Sequence, residues 1–275
     1  MSIITISRGS LSGGRDLAER VAARLGYRCI SREVLLEAAS RYGVPEPKLW
    51  ELFEKKPSFW EWLTRSRERY IVFMQAAMCE EAQHGQLVYH GQAGQQLLAG
   101  ISHVLKVRLI VPVDRRIKNA MERRGLTKEA ATKHVQKIDD ERTQRMRELF
   151  DVDWRDPALY DVVLNLRDMS VDTAAEIVVT LAQRPDYQPT AASIKALDDL
   201  SVAARVKATL LADPATNDIP LDVHADGGVV HISGIITAID DGQIEDKLRE
   251  LTLSVPGARS AVLDIQFRPV LTTPG

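Results

Sequence analysis

Eight residues near the start of the chain read Gly9-Ser10-Leu11-Ser12-Gly13-Gly14-Arg15-Asp16. They follow the apolar run Ile3-Ile4-Thr5-Ile6, which predicts a buried strand, and they precede apolar residues at helical spacing from Leu17 to Leu25. Glycines leave room for backbone N–H groups to converge on a phosphate, and the start of the following helix adds the positive end of a dipole. The stretch therefore predicts a phosphate-binding loop.

The loop keeps a G-x4-G spacing, with Arg15 where a lysine is usual and Asp16 where serine or threonine is usual. We expect Arg15 to offer the phosphates a forked guanidinium in place of a lysine point charge. Asp16 has two open interpretations: it reaches a phosphate-bound Mg²⁺, or it only stabilises the positive end of the helix. For the whole stretch, the competing interpretation is an ordinary turn from strand to helix.

Segments with strand and helix periodicity alternate over the first 185 residues. Five strands are predicted to begin near Ile3, Tyr27, Leu87, Val104 and Val162. Such alternation predicts βαβ units, hence an α/β domain over residues 1–184 with a parallel sheet and helices on both faces. The polar, proline-bearing stretch 185–196 is predicted to be a linker. Residues 197–270 show the order α-β-β-α-β, with Ser201 as the expected N-cap, and predict a small α+β domain.

Composition supports a globular protein of two domains. Of 275 residues, 45% are apolar and 27% are charged, and two cysteines give no disulfide framework. Residues 1–185 carry 29 Lys and Arg against 25 Asp and Glu, whereas the remainder carries 7 against 13. No apolar run is long enough for a membrane span, no leader pattern is present, and basic residues concentrate at 115–147. We therefore expect a cytoplasmic protein that binds a small anionic ligand and not nucleic acid.

Four short motifs in the N-terminal part are informative together: Thr5-Ile6-Ser7-Arg8, the loop end Ser12-Gly13-Gly14-Arg15-Asp16, Asp139-Asp140-Glu141-Arg142 and Trp154-Arg155-Asp156. They resemble the cytidylate kinase-like family of P-loop proteins over about residues 1–183. The resemblance implies a nucleoside monophosphate kinase that uses ATP (or GTP) with Mg²⁺ and phosphorylates CMP or dCMP by default. Residues at about 197–270 resemble a BON domain, through which self-association or contact with a partner is expected.

The same resemblance implies roles for particular residues. The loop 9–16 would hold the donor phosphates, and the basic segment would act as a lid. The residues expected to take part in catalysis are Arg15, Arg116, Arg142 and Arg145. The acceptor is expected beside Arg32, Gly91 and Gln92, and the metal ion beside Asp16.

Three positions depart from the family pattern. Gln92 stands where an arginine is usual, Ser31 where an aspartate is usual, and Asn119 interrupts an arginine repeat in the lid. Loss of these charges would weaken the positioning of the acceptor. Two functions therefore remain open: a phosphotransferase, or a nucleotide-binding regulatory module without turnover, whose BON-like domain contacts a ligand or partner.

An aromatic cluster and one histidine are further candidates for the site. The cluster consists of Trp50, Phe53, Phe59, Trp60 and Trp62, and it either stacks on a nucleotide base or packs the core of a helical insertion. His90 ends a predicted strand beside Gly91, a position from which it can face the cleft. No arrangement of cysteine, histidine or serine in the sequence indicates a metal centre or a nucleophile.

Overall fold

The computed structural model describes residues 2–42, 66–237 and 243–268. The aromatic cluster at 50–62 lies outside the described residues. Among the residues that are described, no helix has both the length and the apolar character needed to cross a membrane.

The elements alternate in the order that the periodicity predicts. In chain order they are β1 (Ile3–Arg8), α1 (Gly14–Leu25), β2 (Arg28–Ser31), α2 (Arg32–Ser40), α3 (Ser66–Gln83), β3 (Leu87–Gly91), α4 (Gly94–Leu97), β4 (Val104–Ile110), α5 (Val113–Arg124), α6 (Lys128–Phe150), β5 (Val162–Asn165), α7 (Val171–Ala182), α8 (Ala191–Ala212), β6 (Leu221–Asp226), β7 (Val229–Thr237), α9 (Gln243–Leu253) and β8 (Ser260–Arg268). Short 3₁₀ turns lie at Pro157–Leu159 and Pro185–Tyr187.

The five N-terminal strands form one parallel sheet in the order β2-β3-β1-β4-β5. β1 is central, since Thr5 pairs with Tyr89 of β3 on one side and with Lys106 of β4 on the other. β2 and β3 lie on one side of β1 in the sheet, and β4 and β5 lie on the other, so the strand order reverses at β1. In open sheets of this kind a crevice forms at the carboxyl ends of the strands where the order reverses. The predicted α/β fold with a parallel sheet is confirmed.

Helices α1 and α7 pack on this sheet through one apolar core. Leu17 and Val21 of α1 are fully buried, as are Ala174 and Val178 of α7 and Leu105 of β4. The buried positions of α1 recur every three to four residues, which keeps them on one face of the helix. Because this face is anchored in the core, the first turn of α1 is held directly after the end of β1.

The chain divides into two compact units, residues 1–35 with 84–193 and residues 36–83 with 194–275. The second unit contains the predicted α-β-β-α-β order as α8, β6, β7, α9 and β8. Its sheet has the order β6-β7-β8, with β6 antiparallel and β8 parallel to β7. The hairpin turn uses Gly227 and Gly228, both with positive φ, as the sequence indicates. The small α+β fold is therefore present, and helix α3 groups with it.

The start of α8 differs from the prediction. Ser201 is not an N-cap, because the helix begins ten residues earlier at Ala191, inside the stretch predicted as a linker. Thr190 and Ser193 exchange hydrogen bonds between side chain and backbone amide, at 2.9 and 3.1 Å, and this reciprocal cap fixes the earlier start. The Ser201 hydroxyl, fully buried, instead donates to Gln83 Oε1 at 2.9 Å.

The core of the first unit provides a test of this packing. Leu105→Ala removes a fully buried side chain from the central part of the sheet, so we expect the free energy of unfolding to fall by about 2–5 kcal/mol. Val113→Ala, at a residue that is 54% exposed, is the control and should change it by less than about 0.5 kcal/mol. Urea denaturation measures both, and equal effects would contradict the assigned core.

Candidate functional site

The loops that follow β1 and β3 lie side by side at the crevice edge of the sheet. Ser7, near the end of β1, is paired with Gly91, the last residue of β3. Residues 9–13 then lead into α1, and residues 92–93 lead into α4. Ligands of open α/β sheets collect at this edge, so the candidate site lies here, where the glycine-rich loop was predicted.

The loop 9–13 has a curved backbone. Leu11 and Gly13 both have positive φ, of 57° and 74°, and alternation of left- and right-handed residues turns successive amides toward one point. The Ser12 hydroxyl closes the loop by donating to the Gly9 carbonyl at 2.7 Å. Within the described part of the chain, the amides of residues 10–13 make no hydrogen bond. These N–H groups are available to an anion.

The Arg116 side chain forms hydrogen bonds with the loop. Its Nε donates to the Ser10 carbonyl at 2.8 Å and its Nη2 to the Ser10 hydroxyl at 3.0 Å. Its two Nη atoms also bind the Asp139 carboxylate at 2.7 Å each. A Cβ at position 9 would lie 2.9 Å from the Arg116 Cζ, so Gly9 is required for this approach. Arg116 is thus bound to the loop and to α6 at once.

Asn119, one of the departures from the family pattern, has a partner in the same loop. Its Nδ2 donates to the Leu11 carbonyl at 2.9 Å. A neutral amide is suited to this contact because it needs only one donor, whereas a guanidinium would bring a second cation beside Arg116. Asn119 therefore adds a third hydrogen bond from α5 to the loop, besides the two that Arg116 makes with Ser10.

Arg15 and Asp16 both form ion pairs along α1. The Arg15 side chain is 77% exposed and its Nε donates to Glu19 Oε1 at 2.7 Å. This hydrogen bond raises the pKa of Arg15. The Asp16 carboxylate accepts from Arg20 Nε at 2.8 Å. In the described residues no group of three or more His, Cys, Asp or Glu is arranged to hold a metal ion.

Arg142 is the most deeply buried charge at this edge. It is 5% exposed, and its Nε and Nη1 have no hydrogen-bond partner among the described residues. The guanidinium carbon lies 4.7 Å from the centroid of the Trp154 ring, a cation–π contact. Burial lowers the pKa of Arg142 to about 9, which leaves the group charged at neutral pH. A buried cation without a hydrogen-bonded counter-charge indicates an anion site.

Arg8, the last residue of β1, adds to this charge. Its stem crosses Gly14, where any Cβ would overlap the Arg8 Cδ. Its Nη2 lies 3.5 Å from His90 Nδ1, and its Nε is buried without a partner. Burial, and then the charge of Arg8, lower the pKa of His90, so His90 is a neutral acceptor at pH 7. His90 therefore lies beside the loop and adds no charge.

Gln92, one of the residues predicted to lie beside the acceptor, contacts one lid arginine. Arg145 Nη1 donates to Gln92 Oε1 at 3.4 Å. The Tyr89 hydroxyl donates to the Gln92 carbonyl at 3.0 Å, and it occupies the space where a side chain at Gly91 would lie. Arg32, at the start of α2, pairs with Glu33 at 3.4 Å. Gln92 thus lies between the end of β3 and the basic helix α6.

Sequence reasoning assigned no role to Arg8 or Trp154, although both lie in the quoted motifs. Trp154 makes cation–π contacts with two guanidiniums, since the Arg108 guanidinium carbon lies 5.3 Å from the ring centroid in addition to the Arg142 contact at 4.7 Å. Its indole N–H donates to the Thr143 hydroxyl at 3.1 Å, which fixes the ring. The one signal available in the sequence is a charged residue at the end of an otherwise uncharged strand, and this signal points to Arg8 alone.

Known proteins are similar in sequence to the N-terminal part of this chain. The model of the Cytidylate kinase-like family matches residues 3–168. The chain belongs to the cytidylate kinase-like family. It is 26% identical to the cytidylate kinase of Methanopyrus kandleri over 185 residues, which are 64% of this chain and 90% of that protein. It is also 26% identical to the cytidylate kinase of Ignicoccus hospitalis over 179 residues, 65% of this chain and 97% of that protein.

The fold also recurs in a crystal structure of an uncharacterized protein from Eubacterium ventriosum. That chain is 20% identical, with a TM-score of 0.52, and the match covers 66% of this chain and 97% of that one. The family match ends at residue 168, before the C-terminal α-β-β-α-β segment that begins with α8. The kinase-like family relationship therefore concerns the N-terminal part of the protein.

The buried charge of Arg142 leads us to expect that the protein is less stable without ligand than it would be with an uncharged side chain at this position. Arg142→Met keeps the length and the contact with Trp154 but removes the buried charge, so we expect the free energy of unfolding to rise by about 1 kcal/mol or more. Arg147→Met, on the same helix at a side chain that is 64% exposed, is the control and should have little effect. Urea denaturation without ligand measures both. A loss of several kcal/mol in Arg142→Met would mean that the charge is compensated within the fold.

Proposed function

We propose that the protein is a phosphotransferase that moves a phosphoryl group from ATP to a nucleoside monophosphate, with CMP or dCMP as the first acceptors to test. The main support is the positive charge of buried Arg142 and of partly buried Arg8, whose Nε has no partner among the described residues, at the edge that carries a loop with free amides. Phosphoryl transfer depends on positioning and charge neutralisation more than on covalent chemistry. Membership of the cytidylate kinase-like family favours the same reaction.

In the proposed reaction the loop amides and the first turn of α1 hold the donor phosphates. Arg142 and Arg145, both on α6, neutralise the group in transfer. Arg32 and Gln92 orient the acceptor monophosphate at the ends of β2 and β3. Arg116 contributes by keeping the loop in shape through its contacts with Ser10.

Asp16 is the residue that would hold Mg²⁺. A carboxylate oxygen is the ligand type that this ion prefers, and the start of α1 lies beside the proposed phosphate position. The Arg20 contact at 2.8 Å would have to give way or be bridged by a metal-bound water. Mg²⁺, when bound with the nucleotide, neutralises charge on the donor phosphates. GTP suits the same loop and is the alternative donor.

A nucleotide-binding regulatory module without turnover is the second candidate function. Gln92 and Ser31 favour it, because neither gives the acceptor phosphate a charged partner, and the Gln92 side chain already accepts from Arg145. In this alternative the C-terminal α+β unit, which resembles a BON domain, contacts a ligand or partner or a second copy of the chain. Sequence resemblance is the support for that assignment.

Product formation separates the two functions. The full chain is incubated with ATP and Mg²⁺ and with CMP, dCMP, UMP, AMP or GMP in turn, and ADP is measured. We expect turnover with CMP or dCMP to exceed that with the purine monophosphates. ADP at background with every acceptor, together with retained nucleotide binding in a thermal-shift assay, would contradict the phosphotransferase and support the regulatory module.

The identity of residue 92 gives a sharper test. Gln92→Arg restores a charged fork at the end of β3, so we expect kcat/KM for CMP to rise about 10- to 100-fold, or roughly 1.4–2.7 kcal/mol of transition-state binding. Gln136→Arg, at an exposed position of α6, adds the same charge away from the site and should leave kcat/KM unchanged. Turnover that stays at background in Gln92→Arg, with unchanged nucleotide affinity, would count against a kinase weakened at this position.

A further inference from the structure

Two arginines border the phosphate-binding loop, and they differ in solvent exposure and in their partners. Arg15 follows the loop at the position where a lysine is usual, but its side chain is 77% exposed and is paired with Glu19. Arg8 precedes the loop and lies inward, with its Nε buried and without a partner among the described residues. The sequence motif therefore indicates Arg15 as the cation that binds phosphate, whereas the burial of the Nε atom indicates Arg8.

The position of Arg8 is built into the loop. Its aliphatic stem runs across Gly14, the first residue of α1, where a Cβ would overlap the Arg8 Cδ and lie 2.8 Å from its Cγ and Nε. Gly14 has an ordinary negative φ, since it is absent from the positive-φ glycines among the described residues. The glycine is therefore needed here to admit the Arg8 side chain, and not for backbone conformation. The Arg8 guanidinium, from the end of β1, thus lies beside the N-terminus of α1.

The charge of Arg8 is not cancelled by its surroundings. No carboxylate hydrogen-bonds to it in the described part of the chain, and its Nη2 lies 3.5 Å from the Nδ1 of the neutral His90 ring. Arg32 and Glu33 both act on it electrostatically, with opposite signs, and Arg142 feels its repulsion. Burying a cation among other cations is costly unless a ligand supplies negative charge.

We propose that Arg8 is the phosphate-binding cation of this loop, in the role that the lysine after the loop has in other P-loop proteins. This inference rests on the proposed function and names the residue that binds the phosphates. The ligand is a nucleotide polyphosphate, held between the loop amides and the Arg8 guanidinium. Arg15 stays on the outer surface of α1 with Glu19.

Binding of pyrophosphate and of Mg²⁺-ADP to the full chain tests the proposal. Isothermal titration compares wild type with Arg8→Met, Arg8→Lys and Arg15→Met. We expect Arg8→Met to weaken both ligands at least tenfold, as for loss of a hydrogen bond to a charged group. Arg8→Lys should recover part of the loss because it keeps the charge. Arg15→Met should change affinity less than threefold. Thermal melting without ligand checks the fold, and Arg8→Met should melt no lower than wild type, since it loses an uncompensated charge.

The outcomes distinguish this inference from the proposed function. If Arg15→Met loses the ligand and Arg8→Met keeps it, the inference is overturned while phosphate binding at the loop stands. If Arg8 is required for binding but no monophosphate is phosphorylated, the inference stands and the phosphotransferase fails. Should Arg8→Met fail to fold, Arg8→Lys against Arg15→Lys gives the same comparison. Equal affinity in those two variants would overturn the inference.

Discussion

Arg8 and Arg142 bring positive charge to the carboxyl ends of the central strands. Arg142 is buried and Arg8 is partly buried with its Nε out of reach of solvent, and no carboxylate hydrogen-bonds to either in the described part of the chain. Removing a charge from water without a partner costs several kcal/mol, so a fold keeps such groups where a ligand provides the opposite charge. Trp154 lowers part of this cost through its ring face. The proposed phosphate site follows from this uncompensated positive charge together with the free amides of the loop.

The rest of the site keeps this charge in place. The core under α1 fixes the helix start, and Arg116 joins the loop to α6 through Ser10 and Asp139. Because α6 also carries Arg142 and Arg145, one partly buried ion pair, between Arg116 and Asp139, connects the loop to the helix of the arginines proposed to act on the transferring phosphate. Asn119 adds a second connection from α5. We therefore expect the loop and helix α6 to move together when a ligand binds.

The sequence predicted the features that depend on local pattern. Strand and helix periodicity gave the parallel sheet, the α-β-β-α-β order and the loop after β1, since each depends on residues close in the chain. It did not predict that Arg15 pairs with Glu19 at the surface while the Arg8 Nε is buried, because burial depends on contacts across the sheet. The start of α8 was missed for a local reason: Thr190 with Ser193 forms a cap as readily as Ser201.

A crystal structure of the full chain with Mg²⁺-ADP tests the central claim most directly. The account predicts the phosphates of ADP on the amides of residues 10–13, with the β-phosphate within hydrogen-bond distance of the Arg8 guanidinium. It also predicts that Arg142 gains an anionic partner or is poised toward the vacant γ-phosphate position. Phosphates bound away from the loop, or Arg8 and Arg142 paired with protein carboxylates while ADP is bound, would contradict it.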